Sequence, residues 1–484
     1  LSFENAESHP NVISEIQTNP SFDYPKPGYT ESRANNRGWL SPYENINKVN
    51  VLKIKALKEE FLASKTLSAT YIINPETIQR YQLPVLSITT DVQNFFDDEL
   101  GIYVYGTTGA EGNYAESGRA WERPVHVQFF EEDGLLAFEQ NFGARIHGGG
   151  GRHSTLKNLR LYARDEYGKS TLEYKWFPND DANEFKRFLV RGAGHRPDCT
   201  PRDDFASLLL EKQNMDIQHI RHVILFLNGE YWGVHTIKER FDQEYLSQKY
   251  GKKAEDYVIM RNRGDLDSGE PGDDEPYLQL LDFVKTNDMS LEASYDFVKT
   301  QIDMDNYLNY FSSEVYMGNV DWIVTNIKFW RYKGLDKNSR SLNGLDGKWR
   351  WFMFDFDLVF GGSCADVSPY VNVLSHAFDT IYGRATTLAI GLKNNDQFVF
   401  DLVNRMCDHM NTNFSKKNFR EKLAQIDGEL APEMMEHIRR WRYPSVETTL
   451  EERQYELPSL DQWDTIISGL YDYPDQRKRK IIDH

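Results

Sequence analysis

Alternating apolar and polar residues dominate the first half of the chain. The segments PVHVQFF and LLAFEQNFGARIHG are rich in β-branched and aromatic residues and are bounded by turn formers, which predicts β-strands. LPVLSITTD and GIYVYG have the same character and are also predicted to be strands. A β-rich region is therefore expected to run to about residue 190, after a polar, turn-rich arm that covers residues 1 to about 45.

Two further elements are predicted between residues 200 and 240. RDDFASLLL has apolar residues at positions 205, 208, 209 and 210 behind an acidic first turn, a pattern that predicts a helix. In HVILFLNGEYWGVHTIKERF, two apolar runs flank Asn228 and Gly229. An Asn-Gly pair in this setting is the strongest local signal for a β-hairpin, so a hairpin is predicted here.

The pattern changes character after the hairpin. EDYVIMRNRGDLDSGEPGDDEP is predicted to be an acidic loop, and beyond residue 277 the chain reads as helices except for strands at KFWRYKG and WRWFMFDFD. Strands followed by helices indicate an α+β protein, and the order favours two lobes with a cleft between them.

Composition and charge narrow the classes of partner. Apolar residues make up 40% of the chain and aromatic residues 13%, which is typical of an ordered globular protein. The net charge of −18 argues against a broad grip on nucleic acid or on anionic lipid. No apolar run reaches the roughly 18 residues of a membrane span. We therefore expect no nucleic-acid partner and no membrane span.

A glycine-rich segment, IHGGGGRHSTLKNLRLYAR, is the first candidate for chemistry. Four consecutive glycines let backbone N–H groups approach an anion closely, and Lys157, six residues after the last of them, could neutralise phosphate oxygens. The run matches no standard phosphate-binding motif. Taken alone, it is also compatible with a plain turn followed by a solvated strand lysine.

Two pairs of polar residues form the second candidate. Asp321 and Asn326 have the spacing at which kinase catalytic loops place an Asp that accepts the substrate proton and an Asn that binds metal. Asp355 and Asp357 follow on a later apolar segment, where a metal-binding Asp is expected. Strand alternation would point both carboxylates to one face, which favours a cation between them.

Other interpretations of these residues stay open at this stage. An Asp and an Asn five positions apart also occur as helix caps or surface pairs. Asp355 and Asp357 could instead cap turns or pair with Lys348 and Arg350.

The acidic stretch GDLDSGEPGDDE raises a separate question about calcium. It supplies four aspartates, but their spacing departs from that of the EF-hand loop and the stretch lacks its bidentate Glu, which favours a solvated loop over a calcium site. The four carboxylates belong to Asp265, Asp267, Asp273 and Asp274.

Several segments together resemble the spore coat protein H (CotH) kinase family of atypical kinases. The glycine-rich stretch through YGKSTLEYKWFP, the FKRFLVRGAG strand with the Arg-Asp helix, the LFLNGEYWGVHTIKERFD hairpin and KWRWFMFDFDLVFGG are all similar to family segments, over roughly residues 85–445. The resemblance implies a two-lobed, atypical protein-kinase-like fold with a β-rich N-lobe and a mainly helical C-lobe. The predicted divisions are an N-terminal arm with a small accessory region (1–84), an N-lobe (85–260) and a C-lobe (261–484).

The resemblance also implies roles for individual residues. Asp321 becomes the catalytic Asp, supported by Lys157, and Asn326, Asp355 and Asp357 become metal ligands, with Asp355 as the principal one. The implied nucleotide-binding residues are Gly149, Gly150, Arg152, Lys157 and Glu239. One departure concerns the glycine-rich turn. The family often has Arg-Gly-Asn-Ser-Ser before the lysine, whereas this chain has His147, four glycines and Arg152.

The activity that the resemblance implies is transfer of the ATP γ-phosphoryl group to a protein Ser/Thr or another hydroxyl, with Mg or Mn as the metal. The alternative is an inactive scaffold that binds protein or polysaccharide, which the altered glycine-rich turn and the N-terminal arm favour. Under both interpretations we expect a secreted, periplasmic or surface protein with a leader upstream of Leu1.

Overall fold

The chain divides into two compact units in the computed structural model, which describes residues 12–13, 46–72, 80–108, 111–154, 156–192, 200–334, 344–361, 371–441, 457 and 459–483. The first unit comprises Leu1–Asp198, Ile220–Lys238 and Ile426–Thr465. The second comprises Cys199–His219, Glu239–Gln425 and Ile466–His484. The boundaries expected at residues 84 and 260 stay a prediction.

The described residues contain strands and helices in a mixed α+β arrangement. The strands are β1 (Val12–Ile13), β2 (Ile46–Asn47), β3 (Asn50–Ile54), β4 (Leu67–Tyr71), β5 (Val85–Thr89), β6 (Arg123–Phe130), β7 (Leu136–His147), β8 (Asn158–Tyr162), β9 (Leu172–Glu173), β10 (Glu184–Phe185), β11 (Arg187–Arg191), β12 (Asp216–Ile217), β13 (Ile220–Leu227), β14 (Glu230–Lys238), β15 (Tyr257–Arg261), β16 (Asp265–Ser268), β17 (Lys328–Tyr332) and β18 (Arg350–Met353). The α-helices are α1 (Val92–Phe96), α2 (Arg202–Leu210), α3 (Gln243–Tyr250), α4 (Glu275–Thr286), α5 (Glu292–Gln301), α6 (Met304–Met317), α7 (Val373–Asp379), α8 (Arg384–Leu392), α9 (Asp396–Asn411), α10 (Lys416–Trp441) and α11 (Leu460–Asp483).

A closed barrel of seven strands forms the centre of the first unit, in the order β11-β14-β13-β5-β6-β7-β8. Neighbouring strands are antiparallel except for β5 and β13, which run parallel. Alternate residues fill its interior: Leu86 lies opposite Phe129 and Ile88 opposite Val127, and all four are fully buried. The apolar residues of the alternating sequence pattern therefore form the inner face of the barrel.

The predicted hairpin is confirmed as β13 and β14. Asn228 and Gly229 both have a positive φ, 51° and 86°, as a two-residue turn of this kind requires. The predicted helix at RDDFASLLL is confirmed as α2, and the predicted strands in PVHVQFF and LLAFEQNFGARIHG as β6 and β7.

Two local predictions are wrong. GIYVYG forms no strand, because the amides of Ile102 and Tyr103 donate to the carbonyls of Asn94 and Phe95 of α1 instead of to a strand. The stretch predicted as an acidic loop contains the antiparallel strands β15 and β16, since the apolar run YVIM pairs on both of its edges, with β16 and with β17.

The second unit is built on a five-stranded sheet in the order β12-β18-β17-β15-β16, with most of the helices after residue 275. The strand at KFWRYKG is confirmed as β17, whereas β18 covers only the RWFM part of the strand predicted at WRWFMFDFD. One cluster of buried apolar residues includes Phe241, Tyr257, Ile259, Trp330 and Phe352. Helix α6 packs on β18 and ends at Gly318, whose left-handed conformation (φ 66°) turns the chain toward β17.

Candidate active site

The loop of residues 318–327, called the α6–β17 loop here, brings Asp321 and Asn326 into direct contact. The Asn326 side-chain amide donates to Asp321 Oδ2 at 2.8 Å, and Thr325 Oγ1 donates to Asp321 Oδ1 at 2.7 Å. Trp322 anchors the loop, because its indole N–H donates to Tyr310 Oη of α6 at 2.6 Å. Asp321 and Asn326 are therefore local partners, and both remain partly exposed.

A buried carboxyl group that sequence reasoning missed lies beneath this loop. Glu314, in the last turn of α6, accepts a hydrogen bond from Asn319 Nδ2 at 2.9 Å, and Asn319 Oδ1 accepts one from the Asp321 amide at 3.1 Å. Burial raises the pKa of Glu314 to about 8, and the negative charge of Asp355 acts in the same direction. The signal in the sequence was an acidic residue within the apolar stretch NYFSSEVYM.

The loop of residues 354–361, called the post-β18 loop here, carries Asp355 and Asp357. The expectation that both residues lie in an apolar strand is wrong, because β18 ends at Met353. Asp355 has a φ of 64°, a left-handed conformation that cannot continue a strand. Both aspartates are partly exposed, so the cost of burying charge in a strand does not arise here.

The post-β18 loop is hydrogen-bonded through its backbone to the α6–β17 loop and to the last residue of α6. The Val320 amide donates to the Leu358 carbonyl at 3.3 Å, and the Phe360 amide donates to the Met317 carbonyl at 2.7 Å. The structure therefore brings the Asp321–Asn326 pair and the Asp355–Asp357 pair onto adjoining loops of the second unit.

The side chains on these two loops offer oxygen donors that suit a hard cation. Asp355 and Asp357 supply carboxylates and Asn326 supplies an amide oxygen, which are the ligand types that Mg²⁺ and Mn²⁺ take in proteins. The charge of Asp355 already influences a second acidic group, Glu314. A divalent cation beside Asp355 would relieve that repulsion.

Glu239 follows β14 and is buried. Its Oε2 accepts hydrogen bonds from the backbone amide and from Nδ1 of His219, both at 2.9 Å, and its carbonyl accepts one from Gln218 Nε2. Its carboxylate is therefore held by the segment that precedes β13. Its implied place near a nucleotide base remains a prediction.

The glycine-rich turn and Lys157 belong to the first unit. Lys157 is fully buried, which excludes the solvated strand lysine considered above. Its Nζ donates to the carbonyls of Arg152 and Ser154 at 2.7 and 2.8 Å and lies 3.9 Å from the centre of the Tyr114 ring. Burial holds the pKa of Lys157 well below its usual value.

Arg152 fastens this turn to a neighbouring segment. Its guanidinium donates to the carbonyls of Ala115 and Glu116 at 2.9 and 2.8 Å and also to that of Gly148. Gly149 precedes the short 3₁₀ helix Gly150–His153, and a Cβ at Gly149 would meet no atom within 4 Å. Contact of Gly149, Gly150 and Arg152 with a nucleotide remains a prediction.

Two of the four carboxylates considered for calcium are paired with lysines. Asp267 lies 2.8 Å from Lys328 Nζ, and Asp273 lies 3.0 Å from Lys333 Nζ. Asp273 also accepts a hydrogen bond from the Glu270 amide at 2.7 Å. These ion pairs with lysines explain two of the four carboxylates without a metal ion.

Within the described ranges, no helix is long and apolar enough to cross a membrane.

Comparison with known proteins places most of the chain in one family. Residues 144–481 match the model of the CotH kinase protein family. No curated protein matches the sequence. Among solved structures, the crystal structure of the Helicobacter pylori proinflammatory kinase CtkA is similar, with 11% identity over 67% of this chain and 91% of that chain and a TM-score of 0.27.

Proposed function

Because the chain belongs to the CotH kinase family, we propose that it transfers the γ-phosphoryl group of ATP to a hydroxyl group, on a protein Ser/Thr or on another acceptor, in a reaction that depends on Mg²⁺ or Mn²⁺. One observation carries the proposal beyond family membership. The hydrogen-bonded pair Asp321–Asn326 lies on a loop whose backbone bonds directly to the loop that carries Asp355 and Asp357. Phosphoryl transfer needs an acceptor-orienting carboxylate close to metal-binding oxygens.

Each of these residues has a proposed role. Asp321 orients the acceptor hydroxyl and takes its proton, and Thr325 and Asn326 hold the Asp321 carboxylate in place before substrate arrives. Asp355 is the principal metal ligand, with Asp357 and Asn326 in support. A bound divalent cation would neutralise charge on the phosphates, which is the main electrostatic demand of the reaction.

The nucleotide-binding residues are part of the proposal through the resemblance. Lys157 would contact the phosphates, Gly149, Gly150 and Arg152 would form the turn around them, and Glu239 would lie near the base. Lys157 donates to carbonyls of its own turn, and Arg152 donates to a carbonyl of the neighbouring segment, so contact with a phosphate requires the lysine to exchange its partners. The two-lobed kinase-like arrangement, the N-terminal extension and export from the cell belong to the same proposal.

The hydrogen bonds that Lys157 and Arg152 already make to backbone carbonyls also favour a second candidate function. If both cations serve only to hold the glycine-rich turn together, the chain is an inactive family member that binds protein or polysaccharide as a scaffold. The glycine-rich turn, which lacks the Asn and Ser side chains common in the family, points the same way.

Incubation with γ-labelled ATP and Mg²⁺ or Mn²⁺ separates the two candidates. The kinase proposal expects label on the protein itself or on an added acceptor, dependent on metal and lost in D321A. The scaffold candidate expects no label under any metal and no nucleotide-dependent rise in thermal stability.

A further inference from the structure

The post-β18 loop is held at its centre by the first turn of α2, an element to which the sequence assigned no chemistry. Asp203 Oδ1 accepts a hydrogen bond from the Phe356 amide at 2.7 Å, and Arg202 Nη1 donates to the Val359 carbonyl at 3.0 Å. Both side chains are about 5% exposed, and Phe356 is fully buried. Two adjacent residues of α2 thus form hydrogen bonds with one backbone amide and one backbone carbonyl of the loop.

We propose that Asp203 is a positioning residue that sets the conformation of the post-β18 loop by holding the amide between Asp355 and Asp357. The inference rests on the proposed function, in which these two aspartates bind the cation of a metal–nucleotide complex. Asp203 itself is buried and is not assigned as a ligand.

The backbone conformation of Asp355 explains why the Phe356 amide is important for the shape of the post-β18 loop. Asp355 has a φ of 64°, a left-handed conformation that Asp adopts more readily than most residues with a Cβ but that its surroundings must still stabilise. A carboxylate that accepts the next amide along the chain fixes the peptide unit between Asp355 and Phe356 and therefore the direction of both flanking side chains. An accepting oxygen at this position is also needed because an unpaired buried N–H is costly.

Asp203 is unusual among helix-start aspartates in this respect. Acidic residues in a first turn commonly cap the helix or offset its dipole. Here the N-cap residue, Pro201, makes no side-chain capping hydrogen bond. One carboxylate oxygen of Asp203 accepts the hydrogen bond from the amide of Phe356, which is 153 positions away in the sequence. The contact links the position of α2 to the shape of the candidate metal site.

The test compares D203A with D203N. Alanine removes the acceptor, whereas asparagine keeps an oxygen at the same place. We expect D203A to weaken binding of Mn²⁺ with the β,γ-imido analogue of ATP by about tenfold or more, the usual range for residues that orient metal ligands. D203N should stay within about threefold of the wild type, because a neutral oxygen still accepts the amide proton.

A matched control separates positioning from a general loss of stability. Thr386 is fully buried in the same unit, and its Oγ1 accepts a hydrogen bond from the Tyr382 amide at 3.0 Å. T386A therefore also removes a buried side-chain oxygen that accepts a backbone amide, at a position that belongs to neither loop. It should lower the unfolding temperature as D203A does and leave binding of the Mn²⁺–nucleotide probe unchanged.

Hydrogen–deuterium exchange without ligand supplies a readout that does not depend on nucleotide. Peptides covering residues 354–361 should exchange faster in D203A and at the wild-type rate in D203N. Binding by D203A at wild-type affinity would overturn the inference, and so would a D203N defect as large as that of D203A. If the wild type fails to bind the probe, the proposed function fails, and the exchange rates still report whether Asp203 holds the loop.

Discussion

At the scale of single residues, Asp355 and Asp321 illustrate two different carboxylate environments on adjoining loops. Asp355 adopts a left-handed backbone conformation and lies near a second acidic group, Glu314. The Asp321 carboxylate accepts hydrogen bonds from Thr325 and Asn326 of its own loop. Under the proposed function the first carboxylate would bind a cation, whereas hydrogen bonds already orient the second.

This difference predicts opposite effects for two alanine substitutions. D355A should abolish the stabilisation that metal and nucleotide produce together. Above about pH 8, where Glu314 is ionised, the unliganded fold should be as stable as the wild type or more so, because repulsion with Glu314 is relieved. D321A should bind nucleotide normally while phosphoryl transfer falls by about 100-fold or more. Thermal unfolding and single-turnover labelling measure the two effects. Equal loss of unliganded stability in both variants, with nucleotide binding unchanged, would make the carboxylates structural.

Glu314 gives the folded protein a specific pH dependence. Burial raises its pKa from 4.5 to about 8. Between these values the folded protein retains a proton that the unfolded chain has released, so the free energy of unfolding decreases as pH rises through this interval and levels off above it. The variant E314Q lacks this titration. Urea unfolding with a chelator present, at about pH 5 and about pH 8, should therefore show a larger loss for the wild type than for E314Q. Parallel pH profiles would mean that Glu314 titrates normally.

At the scale of elements, the sequence predicted strands and helices well where side-chain periodicity decides them. The β13–β14 hairpin follows from Asn228-Gly229 and α2 follows from its apolar spacing. The failures occur where tertiary hydrogen bonds override periodicity. WRWFMFDFD reads as one strand, but the Phe356 amide goes to Asp203 and the strand stops at Met353.

The same reasoning explains which parts of the candidate site the sequence revealed. Asp321, Asn326, Asp355 and Asp357 stand out through their spacing and order. Residues that act through a contact distant in the sequence, as Asp203 does on Phe356, leave no local pattern. Lys157 was singled out, but only the structure shows that its ammonium donates to its own turn.

The end of α6 provides a prediction at the element scale. Gly318 (φ 66°) ends α6, and Gly251 (φ 75°) ends α3, both in left-handed conformation. Alanine at either position should cost about 1–2 kcal/mol of stability for the backbone alone. A Cβ at Gly318 would also lie 3.3 Å from Tyr473 Oη, whereas one at Gly251 meets nothing within 4 Å.

G318A should accordingly lose more stability than G251A in chemical denaturation. It should also reduce phosphoryl transfer, because Gly318 opens the α6–β17 loop that carries Asp321. G251A serves as the control and should keep wild-type turnover. Equal activity of the two variants would show that the loop tolerates movement at its first residue.

At the scale of the whole molecule, the net negative charge of the chain disfavours binding of a nucleotide that carries no metal ion. The chain has 74 acidic and 56 basic Lys and Arg residues, a net charge of −18. A triphosphate carries several negative charges and would approach a predominantly acidic protein unfavourably. In the proposed mechanism, metal coordinated by the phosphates would lower that barrier, and the loop carboxylates would act as ligands instead of repelling the phosphates. Nucleotide and metal should therefore bind as a complex.

This condition predicts that neither component alone stabilises the protein appreciably. Mn²⁺ with ATP at about 100 times the dissociation constant should raise the free energy of unfolding by about 2.7 kcal/mol. ATP with a chelator should give almost no shift, and Mn²⁺ alone a small one that D355A removes. Differential scanning fluorimetry across these conditions measures the effect, with Mn²⁺ and free phosphate as a control for nonspecific ion binding. Stabilisation by ATP that survives chelation would indicate a nucleotide site independent of Asp355 and Asp357, and the metal-dependent mechanism would then fail.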